Sequence, residues 1–178
     1  MAKHNPYKQF GVVDKNTLVS ESGHDFLLKL LHSAHPAPPF SEISDAWLVE
    51  VAEGRIVFEA KPSARFYNPM GTVHGGWIST VLDSAMGCAV HSMLQAGQAY
   101  TTVELKVNFV RPVFEQTGLV RCEGKIVHSG GRLATAEGRL TDAAGKLLAH
   151  GSETCMIFST TSDETAQNNN RERKTKQT

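Results

Sequence analysis

The residues best suited to chemistry lie between Asn68 and Asp83, where a glycine-containing loop runs into an apolar segment. Gly75 and Gly76 stand at the end of that loop. A helix N-terminus presents backbone N–H groups that have no intrahelical partner, and it carries a partial positive charge. Because glycine lets another molecule approach the backbone closely, this stretch could hold a carbonyl oxygen or another negatively polarised atom. Asp83 is the only carboxylate in the segment 77–94 that follows.

The segment 77–94 is predicted to form one long helix of about five turns. Its apolar residues recur at steps of three and four and cover most of the helix circumference. A helix that is apolar nearly all round is buried, so we expect this helix at the centre of the core. Gly97 is the expected C-terminal stop. His91, further along the helix than Asp83, is expected to be a packed histidine rather than a catalyst.

Strand patterns flank this helix on both sides, and a short helix is expected at 24–33. The predicted strands are 46–51, 55–60, 101–110, 118–128, 133–141 and 147–158. The first two are joined by a short connection that contains glycine, which indicates a hairpin. In the third strand, apolar and polar residues alternate strictly. This alternation places Thr102 on the face opposite to Val103 and Leu105.

These elements predict one α+β domain, in which an antiparallel sheet of about six strands wraps around the long buried helix. The domain is expected to span 24–158. A loosely docked N-terminal arm at 1–23 would precede it, and a disordered polar tail at 159–178 would follow it. One face of the sheet would be left partly open, so we expect a second copy of the chain to cover part of it as a twofold dimer.

The composition excludes several classes of function. The 178 residues are 40% hydrophobic and 20% charged, as in an ordinary globular protein, and the formal net charge is zero. This charge balance gives no electrostatic basis for binding nucleic acid or an anionic membrane. No stretch has the pattern of a membrane span or a secretory signal. Three widely spaced cysteines indicate free thiols, and the expected compartment is the cytoplasm. The histidines lack the spacing of metal ligands, so no metal is expected.

Three features at defined spacing resemble the hotdog-fold acyl-CoA thioesterases, and most closely their phenylacetic-acid-degradation group. The first is the segment NPMGTVHGG at 68–76, which contains an HGG motif. The second is Asp83, nine residues after the histidine of that motif, and the third is the segment TTVELKVNFVRP at 101–112. The resemblance covers roughly residues 45–158, and the order of elements predicted above matches that fold. It implies hydrolysis of an acyl-CoA, with an aromatic or medium-chain acyl group, to a carboxylic acid and free CoA.

The resemblance implies catalytic roles for five residues. The Gly75 N–H would bind the thioester carbonyl oxygen, which becomes an oxyanion on attack. Asp83 would act as a general base on water or as a direct nucleophile. Asn68 and His74 would polarise the carbonyl or position water, although each could instead only fix the shape of the loop. Thr102 would hold the attacking water from the facing strand.

The resemblance also implies contacts to the substrate and its CoA group. Gly76 belongs to the substrate-binding loop, and Arg111 is a candidate for binding a phosphate. Gly131 and Arg132 lie between two predicted strands, where the backbone permits close approach and the guanidinium can pair with a phosphate, although the glycine equally suits a plain hairpin turn. No cofactor is implied, because coenzyme A is part of the substrate.

In this family the site lies at a dimer interface, so Asp83 would act with the Gly75 of the other chain, and the dimers would pair further into tetramers. Two other functions stay open for the same pocket. A hydroxyacyl-thioester dehydratase would pair a histidine with a carboxylate across the interface, whereas the histidine here lies in the HGG motif. A non-catalytic acyl-CoA binder would keep the pocket without needing Asp83.

Overall fold

The computed structural model describes residues 5–160, which form one six-stranded sheet around a long helix. The strands are β1 (Ala46–Ala52), β2 (Arg55–Ala60), β3 (Gln98–Phe109), β4 (Val120–Ser129), β5 (Leu133–Thr141) and β6 (Leu147–Ser159). Their order across the sheet is β1-β2-β4-β5-β6-β3, and every neighbouring pair is antiparallel. The predicted α+β class, the six strands and the single central helix are all confirmed.

Within the described residues four helices accompany the sheet: α1 (Lys15–Ser20), α2 (Gly23–Leu31), α3 (Pro39–Ser44) and α4 (Gly75–His91). Helix α4 is the predicted central helix, although it begins two residues earlier than expected. Its start is fixed by His74, whose side chain caps the helix by accepting a hydrogen bond from the Gly76 N–H. Most of its surface is buried, as its apolar circumference requires. Two short 3-10 helices, Ala64–Phe66 and Glu115–Thr117, complete the elements.

Glycines in the strands let the backbone of α4 lie very close to the sheet. A Cβ atom added at Gly124 in β4 would stand 2.2 Å from the Ala85 carbonyl oxygen. A Cβ at Gly138 in β5 would stand 2.9 Å from the Met86 side chain. Because neither position has room for a side chain, the helix is held at a fixed height above the sheet, and so are the groups that it carries.

Strand β3 contains a bulge that changes which side chains face the helix. Its pairing with β6 shifts between Thr102, which lies opposite Cys155, and Glu104, which lies opposite Thr154. The extra residue is Val103. Directly opposite residues in an antiparallel pair point to the same side of the sheet. Thr102 therefore shares the helix-facing side with Leu105, and the prediction that they lie on opposite faces is wrong, because the bulge breaks the alternation.

The N-terminal residues pack more closely on the domain than the predicted loose arm. Tyr7 is only 8% exposed, and its hydroxyl oxygen accepts a hydrogen bond from the Leu48 N–H of β1 at 3.2 Å. Helix α1, capped by the Asp14 side chain, lies within the predicted arm, and α3 follows Pro38 without having been predicted. Helix α2 matches the predicted helix at 24–33.

The predicted polar tail at 159–178 falls almost entirely outside the described residues. Only the end of β6 and Thr160 belong to the described part, where the Thr160 N–H donates to the Gly97 carbonyl. In residues 5–160, no helix is long and apolar enough to cross a membrane.

Candidate functional site

The loop before α4 is shaped by the side chain of Asn68. Its Oδ1 accepts hydrogen bonds from the Met70 N–H at 2.9 Å and the Thr72 N–H at 3.3 Å, and its Nδ2 donates to the Thr72 hydroxyl at 2.9 Å. These bonds are those of an Asx-type turn. Of the two roles considered for Asn68, the geometry therefore favours the one of fixing the loop.

His74 has a comparable structural role at the first residue before α4. Its Nδ1 accepts a hydrogen bond from the Gly76 N–H at 2.8 Å, which requires the neutral ring to carry its hydrogen on Nε2. The N–H of Gly76, which was predicted only to belong to the substrate-binding loop, is therefore bonded to the histidine in this structure. Gly75 is the first residue of the helix, where an N–H has no intrahelical partner, and it remains the donor available to a ligand.

A cavity of about 320 Å³ opens in front of this helix N-terminus. Asn68, Gly75 and Arg111 all line it, so three of the predicted site residues are brought together here. Phe109 forms another wall, and a Cβ atom added at Gly75 would stand 3.0 Å from its ring. The exposed Arg111 guanidinium is oriented by donating to the Leu147 carbonyl oxygen at 2.5 Å. The cavity thus combines a backbone donor with a fixed positive charge.

Asp83 lies in a different cavity, about two turns further along α4. This cavity of about 210 Å³ is lined by Asp83, Cys88, Tyr100 and residues of α3 and the strands around them. Asp83 is half-buried, and this burial raises the pKa of its carboxyl group, an effect that a hydrogen bond with Thr102 partly opposes. A raised pKa makes the carboxylate a better base when it is ionised.

A second carboxyl group, which the sequence analysis missed, stands beside Asp83. Glu153 in β6 is only 1% exposed, and its Oε1 accepts hydrogen bonds from the Thr102 hydroxyl at 2.8 Å and the Cys155 thiol at 3.0 Å. Its Oε2 has no hydrogen-bond partner among the described residues. Burial, together with the negative charge of Asp83, raises the pKa of Glu153 to about 7. One signal in the sequence could have found it, since Glu153 occupies an inward position between Gly151 and Cys155 in the alternation of β6.

The space for this carboxyl pair depends on Gly87 of α4. A Cβ atom added there would stand 2.8 Å from the Tyr100 hydroxyl and 3.4 Å from Glu153 Oε1. Burial raises the pKa of the neighbouring Cys88 thiol to about 12, and it raises that of Tyr100 well above its usual range. Both groups are therefore neutral at physiological pH, whereas the pKa of Glu153 lies near that pH.

A third cavity adjoins the one at Asp83. It has a volume of about 340 Å³ and lies under the N-terminal segment, with Leu18, Phe26 and Leu27 among its apolar walls. Cys88 and Tyr100 line both cavities. His91 also lines it, and burial lowers the pKa of this histidine to about 4, so the wall carries no charge near neutral pH. His91 is thus a packed histidine, as predicted.

The structure separates the two halves of the predicted site. Gly75 and Asp83 are eight residues apart on one straight element, a rise of about 12 Å at 1.5 Å per residue, and they open into different cavities. One carbonyl group cannot contact both within a single chain. Strand β3 runs along the edge of the sheet beside both cavities, and its Val103 and Phe109 are 55% and 56% exposed.

The predicted CoA-binding pair between β4 and β5 lies apart from these cavities. Gly131 and Arg132 are exposed in the turn, and neither lines a cavity that contains Gly75 or Asp83. The turn itself is closed by the Gly130 N–H, which donates to the Leu133 carbonyl at 2.9 Å. In residues 5–160, no group of three or more histidine, cysteine, aspartate or glutamate side chains is arranged to hold a metal ion.

Comparisons with known proteins agree with this architecture. Residues 70–149 match the family described as the Thioesterase superfamily. A protein from Saccharolobus solfataricus, described as a candidate esterase, is 31% identical over 86 residues, which cover 48% of this chain and 59% of the relative. The chain thus spans about three-fifths of the length of the curated relative that it matches.

Two solved structures are similar to this chain over most of their own length. A protein from Ralstonia eutropha JMP134, described as a candidate thioesterase related to phenylacetic acid degradation, has a TM-score of 0.68 at 26% identity, over 74% of this chain and 98% of that one. A Streptococcus mutans protein bound to acetyl-CoA has a TM-score of 0.59 at 20% identity, over 64% of this chain and 89% of that one. At that identity the second likeness shows the fold alone. With its six-stranded antiparallel sheet around α4, the chain has the predicted hotdog fold, and it is similar to the Thioesterase superfamily over residues 70–149 and to a candidate thioesterase related to phenylacetic acid degradation.

Proposed function

We propose that the protein is an acyl-CoA thioesterase, which hydrolyses an aromatic or medium-chain acyl-CoA to the carboxylic acid and free CoA. The observation that carries this proposal is the placement of two complementary groups on α4. One is a half-buried carboxyl with a raised pKa at Asp83, and the other is an open helix N-terminus at Gly75. A thioester hydrolase needs both, a base or nucleophile and a donor for the oxyanion. The likeness to an acetyl-CoA-bound protein of the same fold supports CoA as the carrier.

The reaction follows from these two groups. The Gly75 N–H polarises the thioester carbonyl, and Asp83 either takes a proton from the attacking water or attacks the carbonyl carbon itself. The C–S bond then breaks, and the sulfur leaves as CoA thiol after gaining a proton. A single turnover in water labelled with oxygen-18 tests the covalent route, because label in the Asp83 carboxyl requires that an acyl-aspartyl anhydride forms and that water attacks its aspartyl carbon.

The catalytic test is the release of free thiol from a panel of acyl-CoA esters. Replacing Asp83 by Ala or Asn removes the base, so we expect kcat/KM to fall by about 10² to 10⁴. Asp142→Asn, in the turn between β5 and β6, is the matched control and should retain activity. Undiminished turnover by the Asp83 variants would remove Asp83 from the mechanism. Binding without turnover of any ester, or formation of an enoyl thioester, would instead favour the binder or the dehydratase.

We propose a homodimer in which each site combines Gly75 of one chain with Asp83 of the other. The separation of about 12 Å within a chain supports such sharing, and the exposed apolar side chains of the edge strand β3 offer a surface for the second copy. Further pairing into tetramers and a cytoplasmic location are additional proposals. Light scattering measures the mass in solution, and a monomeric mass in an active preparation would exclude shared sites.

Subunit mixing tests the shared site directly. Gly75→Pro deletes the N–H donor at a position where proline is tolerated, because the first residue of a helix lacks an intrahelical partner. Gly75→Ala adds a Cβ near Phe109 but keeps the N–H, so it is the control for crowding. Inactive Gly75→Pro and Asp83→Asn dimers, when mixed and allowed to exchange, should regain activity through one intact site per heterodimer. No recovery in verified heterodimers would contradict sharing.

The third cavity supports an aromatic or medium-chain acyl group. A dry apolar cavity of about 150 Å³ is large enough for benzene, and the cavity that adjoins Asp83 measures about 340 Å³. Its walls are apolar or neutral, as an acyl chain requires. Leu18→Trp would fill part of it, so we expect the preferred ester to become shorter. Leu133→Trp, at an exposed position on β5, is the control and should leave the preference unchanged.

A further inference from the structure

Glu153 is a buried carboxyl group that the reaction proposed above does not use. It is 99% shielded from solvent, its Oε2 has no hydrogen-bond partner among the described residues, and it lies close enough to Asp83 for the charge of one to raise the pKa of the other. Leaving a buried carboxylate oxygen unpaired is costly. A residue with only a packing role would not need this group.

The groups that face Glu153 offer no compensating cation. Helix α4 contributes Asp83 and Cys88, strand β3 contributes Tyr100 and Thr102, and β6 contributes Cys155. On β5, the residue directly opposite Glu153 is an alanine, which cannot titrate. Every titratable neighbour in the described residues is therefore neutral or negative near neutral pH, and no ion pair explains the carboxylate.

The Thr102 hydroxyl connects Glu153 to Asp83. It donates to Glu153 Oε1 at 2.8 Å, and it also lies within hydrogen-bonding reach of Asp83, whose pKa it lowers. A hydroxyl has a single proton, so it can donate to only one of the two carboxylates at a time. When Glu153 is ionised, the hydroxyl donates to it and leaves lone pairs for a water molecule. When Glu153 is protonated, it can donate to the hydroxyl, and the hydroxyl proton then turns toward Asp83.

We propose that Glu153 is a positioning residue, whose charge sets the direction of the Thr102 hydrogen bond and thereby frees Asp83 and a Thr102 lone pair for the attacking water. This inference rests on the proposed thioesterase reaction. In the ionised state of Glu153, Asp83 is released from the Thr102 bond and is the stronger base. The water then donates one hydrogen to Asp83 and the other to Thr102. In the neutral state of Glu153 both effects are lost.

The consequence is a second step in the dependence of the rate on pH. Because the pKa of Glu153 is about 7, turnover should rise between pH 6 and pH 8 beyond the rise caused by Asp83 alone. In Glu153→Gln the side chain is uncharged at every pH, so this variant should lack the second rise of turnover between pH 6 and pH 8. We expect the ratio of wild-type to variant kcat to grow about tenfold between pH 6 and pH 8.

The experiment measures kcat and KM for wild type and Glu153→Gln from pH 5 to pH 9 with the best ester of the panel. Thr102→Val removes the hydroxyl and should also abolish the step, whereas Thr102→Ser should keep it. The two Thr102 variants keep the role of Glu153 testable even if Glu153→Gln folds poorly. A ratio that stays constant with pH, or a Thr102→Val enzyme that keeps the step, would overturn the role of Glu153.

The same data separate this inference from the proposed function. If wild type turns over an acyl-CoA and the ratio is constant, only the role of Glu153 fails. If wild type turns over no ester of the panel, the thioesterase proposal fails and the role of Glu153 fails with it. An effect confined to KM would also contradict the inference, since reorienting Thr102 acts on the chemical step.

Discussion

Replacing Glu153 by Gln should stabilise the fold, and more so as the pH rises. Glu153 is 1% exposed, and burial raises its pKa from the usual value of 4.5 to about 7 in the folded protein. In the unfolded chain the group ionises at its usual pKa. Between these two values the unfolded state loses the proton while the folded state keeps it, so ionisation favours unfolding.

The expected size follows from the two pKa values. Each pH unit between 4.5 and about 7 is equivalent to about 1.4 kcal/mol, so the cost of the carboxyl approaches about 3 kcal/mol above pH 7. Below pH 4.5 the group is protonated in both states and this cost is absent. Glutamine cannot ionise, so the stability advantage of Glu153→Gln over wild type should increase by about 3 kcal/mol between pH 4.5 and pH 7.5.

The assay is unfolding by urea at a series of pH values from 4.5 to 8.5, at one fixed protein concentration because dimer formation would also shift the midpoint. Glu137→Gln, on the exposed side of β5, is the matched control and should show no such trend. A difference between Glu153→Gln and wild type that does not change with pH, or that shrinks as the pH rises, would refute the assignment of a raised pKa to Glu153.

Two further predictions test how the site is supported. Gly124→Ala should lower the free energy of unfolding by about 3 kcal/mol, because the added Cβ would stand 2.2 Å from the Ala85 carbonyl oxygen. Gly131→Ala is the control in the same urea assay and should have little effect, because a Cβ added there would have no atom within 4 Å. Tyr7→Phe should lower the free energy of unfolding by about 1 to 2 kcal/mol, because the buried Leu48 N–H loses its hydrogen-bond acceptor. An unchanged midpoint in thermal or urea unfolding would show that this N-terminal contact contributes nothing to stability.

The six strands and the central helix were predicted in their order along the chain, because the hydrophobic periods of these segments are long and regular. The bulge at Val103 was missed, since one extra residue leaves both halves of β3 with an ordinary alternation and only the pairing with β6 reveals it. The face assigned to Thr102 was therefore wrong. Glu153 was missed for a related reason, because a single acid in an alternating strand gives no sign of its neighbours until β3, β6 and α4 come together.

The loop residues show a different limit of sequence reasoning. The motif located Asn68 and His74 correctly before α4 and Gly76 in its first turn, but it could not distinguish residues that contact a ligand from residues that shape the loop. Their hydrogen bonds do so, since Asn68 bonds to its own turn and the His74 ring takes the Gly76 N–H. The donor role of Gly75 stays a prediction, and the position of its N–H at the open end of the helix is consistent with it.

The bulge in β3 also affects how this chain should be aligned with its relatives. Thr102 lies opposite Cys155, and Leu105 lies opposite Glu153, with Val103 as the unmatched residue between them. A related chain that lacks a residue here would keep both pairs, and with them the inward direction of the threonine. A one-residue gap in an alignment at this point would therefore be structurally neutral. A one-residue gap two residues later would instead move every following side chain of the strand to the opposite face of the sheet.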